Sequence, residues 1–183
     1  MFLRRTAGAA ENLRKPWLRA ARGPTVSPGM LHGKPRELKT RLAAGDRLLG
    51  LDVGTKTVGL ALSDTTLTVA SPYATLRRTR FTADAQALAE IIAREGVGGL
   101  IIGLPINMDG TEGRRCQSIR AFATNFLKTV DIPTAFWDER LSTAAVTRTL
   151  LEADASRRRR RQLVDKLAAA YILQGALDSL AAK

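Results

Sequence analysis

Residues 48–64, reading LLGLDVGTKTVGLALSD, constrain this chain more than any other stretch. Two apolar runs flank a Gly/Thr/Lys turn, which predicts a hairpin of buried strands. Asp52 stands just before the turn, near the end of the first strand. A carboxylate there is expensive to keep charged without a partner, and a metal ion is one such partner. Gly54 permits a tight bend and close approach of a ligand. Thr55 and Lys56 then offer a hydroxyl, main-chain N–H groups and an ammonium, all suited to phosphate. A plain hairpin with Asp52 as a turn residue is the simpler alternative, but Asp52 precedes the turn instead of occupying it.

A chain of 183 residues can bury one sizeable core. Its formal net charge of +12 and pI of about 11.0 suit a polyanionic partner. The charge is uneven: residues 1–46 hold ten Lys/Arg against three Asp/Glu, a net +7, and the remainder carries +5. Much of the basicity therefore lies outside the expected domain of residues 47–183. One cysteine, Cys116, excludes an intramolecular disulfide and fits a reducing compartment, so a cytoplasmic location is expected. One histidine, His32, argues against His-based catalysis or a zinc site, leaving carboxylates, Lys, hydroxyls or bound metal to do the chemistry. No apolar run is long enough to span a bilayer.

Residues 1–46 are Arg-rich, interrupted by Pro16, Pro24, Pro28 and Pro35, and aperiodic, which predicts a mostly disordered extension. A basic nucleic-acid arm, an organelle transit peptide and a start upstream of the natural one at Met30 are its competing explanations. Residues 69–76 read as a third strand bent or edged by Pro72, with Arg77, Arg78 and Arg80 as a solvated turn. Residues 84–95 read as a helix stopped by Gly96. GLIIGL at 99–104 reads as a strand buried on both faces, as in parallel sheets covered by helices. The loop at 105–113 follows it, where open α/β sheets bind ligands. Asn107, Asp109 and Glu112 could face a site there, though turn chemistry is favoured for Asp109. A helix over 111–129 buries Ile119, Phe122, Ala123 and Phe126. The strand at 133–137 runs into Asp138, Glu139 and Arg140, and Ser142 is placed to cap a following helix. Five arginines at 157–161, including Arg157 and Arg158, predict a mobile loop, with phosphate binding and plain solvation equally open. The last helix, over 162–180, carries Asp165 on its apolar stripe, where a carboxylate requires a partner.

Asp52, Glu139 and Asp165 each interrupt an apolar element at its end. Converging, three carboxylates make a hard oxygen site suited to Mg²⁺ or Mn²⁺. Two such ions can activate water and stabilise the leaving oxygen of a phosphodiester.

GLDVGTKTVGLALSD, GLPINMDGTEG, DERLST and VDKLAAAYIL, in this order and spacing, resemble the YqgF family over about residues 47–181. These RuvX-type proteins are described as Holliday-junction-resolvase-like and as pre-16S rRNA nucleases. The resemblance implies an RNase H-like fold: a mixed five-stranded sheet, three antiparallel strands first and then parallel ones, with helices on both faces. It implies Asp52, Glu139 and Asp165 as metal-binding acids. Thr55, Lys56, the Asn107 loop, Arg140, Arg157 and Arg158 would then line the substrate groove. The expected activity is a two-metal endonuclease trimming the 5′ end of precursor 16S rRNA, with nucleic acid and ribosomal particles as partners and a monomer or homodimer as its state. Cleavage of junction DNA is the sister reading. A non-catalytic rRNA-binding assembly factor is a second class. An ATP-binding module of the actin-like superfamily ranks last, because the chain is too short for a second nucleotide-enclosing lobe.

Overall fold

The computed structural model describes residues 31–32, 35–141 and 157–182. Its strands are β1 (Leu31–His32), β2 (Arg47–Val53), β3 (Thr57–Ser63), β4 (Ala70–Arg77), β5 (Val97–Leu104) and β6 (Thr134–Asp138). Its helices, among the described residues, are α1 (Pro35–Lys39), α2 (Phe81–Glu95), α3 (Arg114–Leu127) and α4 (Arg157–Ala181). The strands form one sheet in the order β1-β6-β5-β2-β3-β4. β2, β3 and β4 are antiparallel neighbours, whereas β5 and β6 extend the other edge of β2 in parallel. This is the expected RNase H-like arrangement with one strand added, since β1 pairs in parallel with β6.

The period-2 alternation of the strands assigns each residue to one of two faces. Leu49, Leu51, Val58, Leu60, Leu100 and Ile102 point to the face covered by α2 and α3. There Phe122 and Phe126 stack with centroids 6.3 Å apart, and Phe81 meets Phe122 edge-on at 5.9 Å. Leu48, Ala61, Ile101, Ala135 and Trp137 point to the opposite face, against Ile172, Leu173, Ala176 and Leu177 of α4. Small residues dominate that second face. A Cβ at Gly50 would lie 2.7 Å from Leu173 Cβ, so α4 sits almost on the sheet backbone.

Several expectations need correction. The 1–46 segment is not wholly outside the domain: β1 joins the sheet, and Leu38 of α1 is fully buried. Arg36 donates to the carbonyls of Ser179 (3.2 Å) and Ala182 (2.5 Å), tying α1 to the end of α4. An amphipathic turn as short as five residues offers too little periodicity to be seen in a Pro/Gly-rich context. The arginines at 157–161 form the start of α4, not a loop. Arginine is among the better helix formers, and the turns it extends are already anchored by packing. Arg78 is not simply solvated, since its guanidinium lies over the Phe122 ring at 5.5 Å. The helix expected after Ser142 lies outside the described residues. The bend at Pro72 is present: the β3–β4 register shifts between Leu60 and Ala61, on the edge strand where proline is tolerated. Gly96 ends α2 at φ 65°, as expected of a glycine stop.

Candidate active site

β2, β5 and β6 run in one direction, so their carboxyl ends, the β2–β3 turn and the loops at 105–113 and 139–141 gather at one edge of the sheet. Asp52 lies two residues beyond Gly50 and hence on the same face, under α4. Its side chain is only 9% exposed. Asp52 is flanked by two glycines. Gly59, its partner on β3, faces the backbone of Asp165, and any Cβ there would collide with the Asp165 carbonyl. Gly103 follows Ile102, the partner of Leu51, and a Cβ there would lie 2.8 Å from Glu139 Oε1 and 2.5 Å from Ile172 Cδ1. The missing side chains on both sides of Asp52 thus let the Asp165 backbone lie against β3 and the Glu139 carboxylate lie against β5. Asp52, the Asp165 backbone and the Glu139 carboxylate thus lie on one face of the sheet.

Asp165 Oδ2 is fully buried and, among the described residues, has no hydrogen-bond partner. An orphaned carboxylate oxygen carries its full desolvation penalty. Hard oxygen donors with one coordination position unsatisfied fit a divalent cation in chemistry. Among the described residues, no group of three or more His, Cys, Asp or Glu side chains is arranged to hold a metal ion.

The Asp-Glu-Arg triplet is split where β6 ends: Asp138 is its last residue, whereas Glu139 opens a 3-10 turn, Glu139–Leu141, and lies over Gly103. Asp138 pairs with Arg140, whose Nε and Nη2 approach it at 3.0 and 2.7 Å. The Arg140 side chain therefore holds the Asp138 carboxyl below its ordinary range. Arg140 also donates through Nη1 to the Asn107 carbonyl at 3.3 Å, joining the β6 end to the 105–113 loop. Arg140 and Asn107 thus build the rim together.

That loop is internally braced. Asn107 Nδ2 donates to Thr111 Oγ1 at 2.9 Å, and Asp109 Oδ1 accepts from the Thr111 amide and hydroxyl at 2.9 and 2.7 Å. The Thr111 hydroxyl lowers the pKa of Asp109, so this acid does the expected turn chemistry. Glu112 is clamped by Arg120 at 2.7 and 2.5 Å. Cys116 Sγ donates to the Pro105 carbonyl at 3.0 Å, and burial pushes its thiol pKa up, which suits a structural thiol. Met108, at the tip of the loop, is 90% exposed.

Thr55 and Lys56 are exposed at the β2–β3 turn, on the same edge as Asp52. Arg78 braces the turn: its amide donates to the Lys56 carbonyl at 2.9 Å and its Nη1 to the Gly54 carbonyl at 2.8 Å. The backbone of Arg157 and Arg158 opens α4, two turns before Asp165, while their side chains lie outside the described residues.

Two residues escaped the sequence reading. Arg78 passed as one of a solvated trio, and nothing in its neighbourhood marks it. Arg115, whose Nη2 lies 4.0 Å from Asp52 Oδ1, left a trace: it forms an Arg-Arg pair with Arg114 in the first turn of α3, where acids are favoured.

The family RuvX, described as Holliday junction resolvase, matches residues 46–179. A "Putative pre-16S rRNA nuclease" of Paramagnetospirillum magneticum is 61% identical over 145 residues, covering 79% of this chain and 94% of its own. A relative of the same name from Roseobacter denitrificans is 59% identical over 135 residues, covering 73% of this chain and 83% of its own. Among solved structures, T. thermophilus RuvC in complex with Holliday junction substrate superposes with a TM-score of 0.49 at 11% identity, covering 73% of this chain and 94% of that one. With the match spanning the hairpin, both loops and the terminal helix, this chain belongs to the RuvX family.

Proposed function

We propose that the chain is an endonuclease that hydrolyses phosphodiester bonds with the help of Mg²⁺ or Mn²⁺, and that its substrate is precursor 16S rRNA. One observation carries the reading: Asp52 lies between two glycines whose open faces admit Asp165 and Glu139. The names of the relatives support the RNA substrate, and the family description supports a nucleic acid in general. Four-way junction DNA is the second reading, favoured by that same description and served by the same chemistry.

Asp52, Glu139 and Asp165 are the residues that would hold the ions. Bound there, a divalent cation would lower the pKa of a water nucleophile and neutralise charge on the phosphate oxygens. Asp52 and the buried oxygen of Asp165 are poorly solvated, so a cation recovers stabilisation that water does not supply. Asp138 takes no part, because Arg140 already neutralises it. The Arg140–Asn107 contact holds the loop beside the acids without a bound substrate, which limits the ordering that binding must impose. Thr55 and Lys56, on a turn braced from behind by Arg78, are free to meet phosphate. The arginines opening α4 add sequence-independent affinity.

The test is to incubate the full chain with precursor 16S rRNA, a four-way DNA junction and ATP, each with and without Mn²⁺. Mn²⁺-dependent cleavage of the precursor is the expected result, and preferential junction cleavage would move the substrate to DNA. Tight rRNA binding with no cleavage under any ion would replace the nuclease with an assembly factor. ATP hydrolysis alone would refute both.

A further inference from the structure

The start of α3 is electrostatically inverted. A helix N-terminus carries partial positive charge and favours acids. Here the first turn holds Arg114 and Arg115 and no acid, and the N-cap, Gly113, provides no side-chain bond. A local preference broken in this way is characteristic of functional positions. The turn is nevertheless firmly placed. Cys116 ties it to Pro105, and Ile119 is buried in the core one turn later.

From that fixed base Arg115 reaches back to Asp52. Its Nη2 stands 4.0 Å from Asp52 Oδ1, with the arginine side chain 51% exposed and the aspartate 9%. The neighbouring pairs are closed: Arg120 grips Glu112 at 2.7 and 2.5 Å, and Arg140 grips Asp138 at 2.7 Å. The Arg115–Asp52 pair is open by comparison, within ion-pair reach but beyond hydrogen-bond distance. A long, half-exposed side chain can leave such a contact at little cost, and Asp52 cannot follow it out of the sheet.

We propose that Arg115 is an exchangeable countercharge for Asp52. In the ion-free protein its guanidinium offsets the charge of the buried carboxylate. A divalent cation entering the acid patch takes over that carboxylate and releases Arg115, which then meets the substrate phosphate beside the reacting bond. Arg115 thus couples cation loading to substrate capture. The inference rests on the metal-dependent reading of the site and adds a residue to it.

Mn²⁺ binding to the full chain without nucleic acid, measured by calorimetry, tests the exchange directly. Removing the competitor should tighten binding. Arg115→Ala and Arg115→Gln should each bind Mn²⁺ on the order of threefold to tenfold more tightly, the range set by a partly exposed ion pair. Arg115→Lys, which keeps a positive charge, should stay nearer the wild type. Arg114→Ala, which relieves the same helix end without reaching Asp52, separates the pair from the helix dipole and should leave Mn²⁺ affinity unchanged. In cleavage assays Arg115→Ala should raise KM severalfold with a smaller effect on kcat. Melting curves of the variants establish that each is folded. Wild-type Mn²⁺ affinity in both Arg115→Ala and Arg115→Gln would overturn the exchange, and so would equal tightening by Arg114→Ala. Failure of the nuclease reading looks different: the wild type would neither bind Mn²⁺ nor cleave, and the inference would fall with it.

Discussion

Gly59→Ala puts one methyl group where the architecture of the site leaves no space. The new carbon would meet the carbonyl oxygen of Asp165, its carbonyl carbon at 2.6 Å and its Cα at 3.3 Å. These are backbone atoms of α4, so no side-chain rotation relieves the overlap and the helix must lift from β3. Overpacking of this kind costs about 1–3 kcal/mol. At roughly 2–4 °C per kcal/mol for a chain of this size, Tm should fall by about 2–12 °C. Lifting α4 also withdraws Asp165 from Asp52, so the rise in Tm caused by Mn²⁺ should shrink or vanish. Ala61→Gly is the matched comparison, two residues along the same strand and fully buried on the same face. It loses about 1–2 kcal/mol through a missing methyl and a freer backbone but pushes nothing. It should therefore melt earlier and keep its Mn²⁺ response. Thermal melts of both variants, with and without Mn²⁺, decide the matter. An unchanged Tm for Gly59→Ala, or an undiminished Mn²⁺ response, would refute the seating of α4 that brings the acids together.

Leu38→Ala should destabilise the fold by about 2–5 kcal/mol in denaturant melts, since the side chain is fully buried in the second core cluster, over Gly99. A chain beginning at residue 31 should melt like the full chain, whereas one beginning at residue 47 should melt markedly lower. Acid should unfold the protein through carboxylates that the fold holds ionised. Asp64, held by the Thr66 hydroxyl and the Val69 and Thr68 amides, falls from 3.8 to about 2, and Asp138 and Glu112 are lowered by Arg140 and Arg120. Between about pH 4 and pH 2 the unfolded chain binds more protons than the folded one, so stability present above that window should drain away within it, as pH-dependent melts will register. Replacing the five arginines at 157–161 with serine should weaken RNA binding and flatten its salt dependence, and an unchanged slope would mean that they never meet phosphate.

The elements that were legible in the sequence are those whose apolar pattern is strong. The 48–64 hairpin, the GLIIGL strand and the Phe122/Phe126 helix all stand where their periodicity puts them. α1 was invisible because what fixes it is Leu38 packing over Gly99 of β5 and Arg36 bonding the Ser179 and Ala182 carbonyls at the end of α4, contacts far apart in sequence. Asp52 was legible as a carboxylate misplaced in a buried strand. Its neighbourhood was not: Gly59 and Gly103 read as ordinary strand glycines until the sheet register sets them either side of Asp52. The turn that ends β6 also separates Asp138, held by Arg140, from Glu139 over Gly103, which sequence alone offers as equals. Arg157 onward shows a limit of charge arguments, because propensity and anchoring outweigh repulsion along the helix.

Mn²⁺-dependent cleavage by Asp52→Asn, measured beside its melting curve, tests the central claim most directly. The substitution keeps the shape and the oxygen ligand but removes the charge that would hold a divalent ion. Activity should fall by orders of magnitude, RNA binding should fall far less, and the ion-free protein should be as stable as the wild type or more so, because crowded carboxylates repel each other. Glu139→Gln and Asp165→Asn should repeat the pattern, with double variants scarcely worse than single ones. A folded Asp52→Asn that cleaves at the wild-type rate would contradict the account.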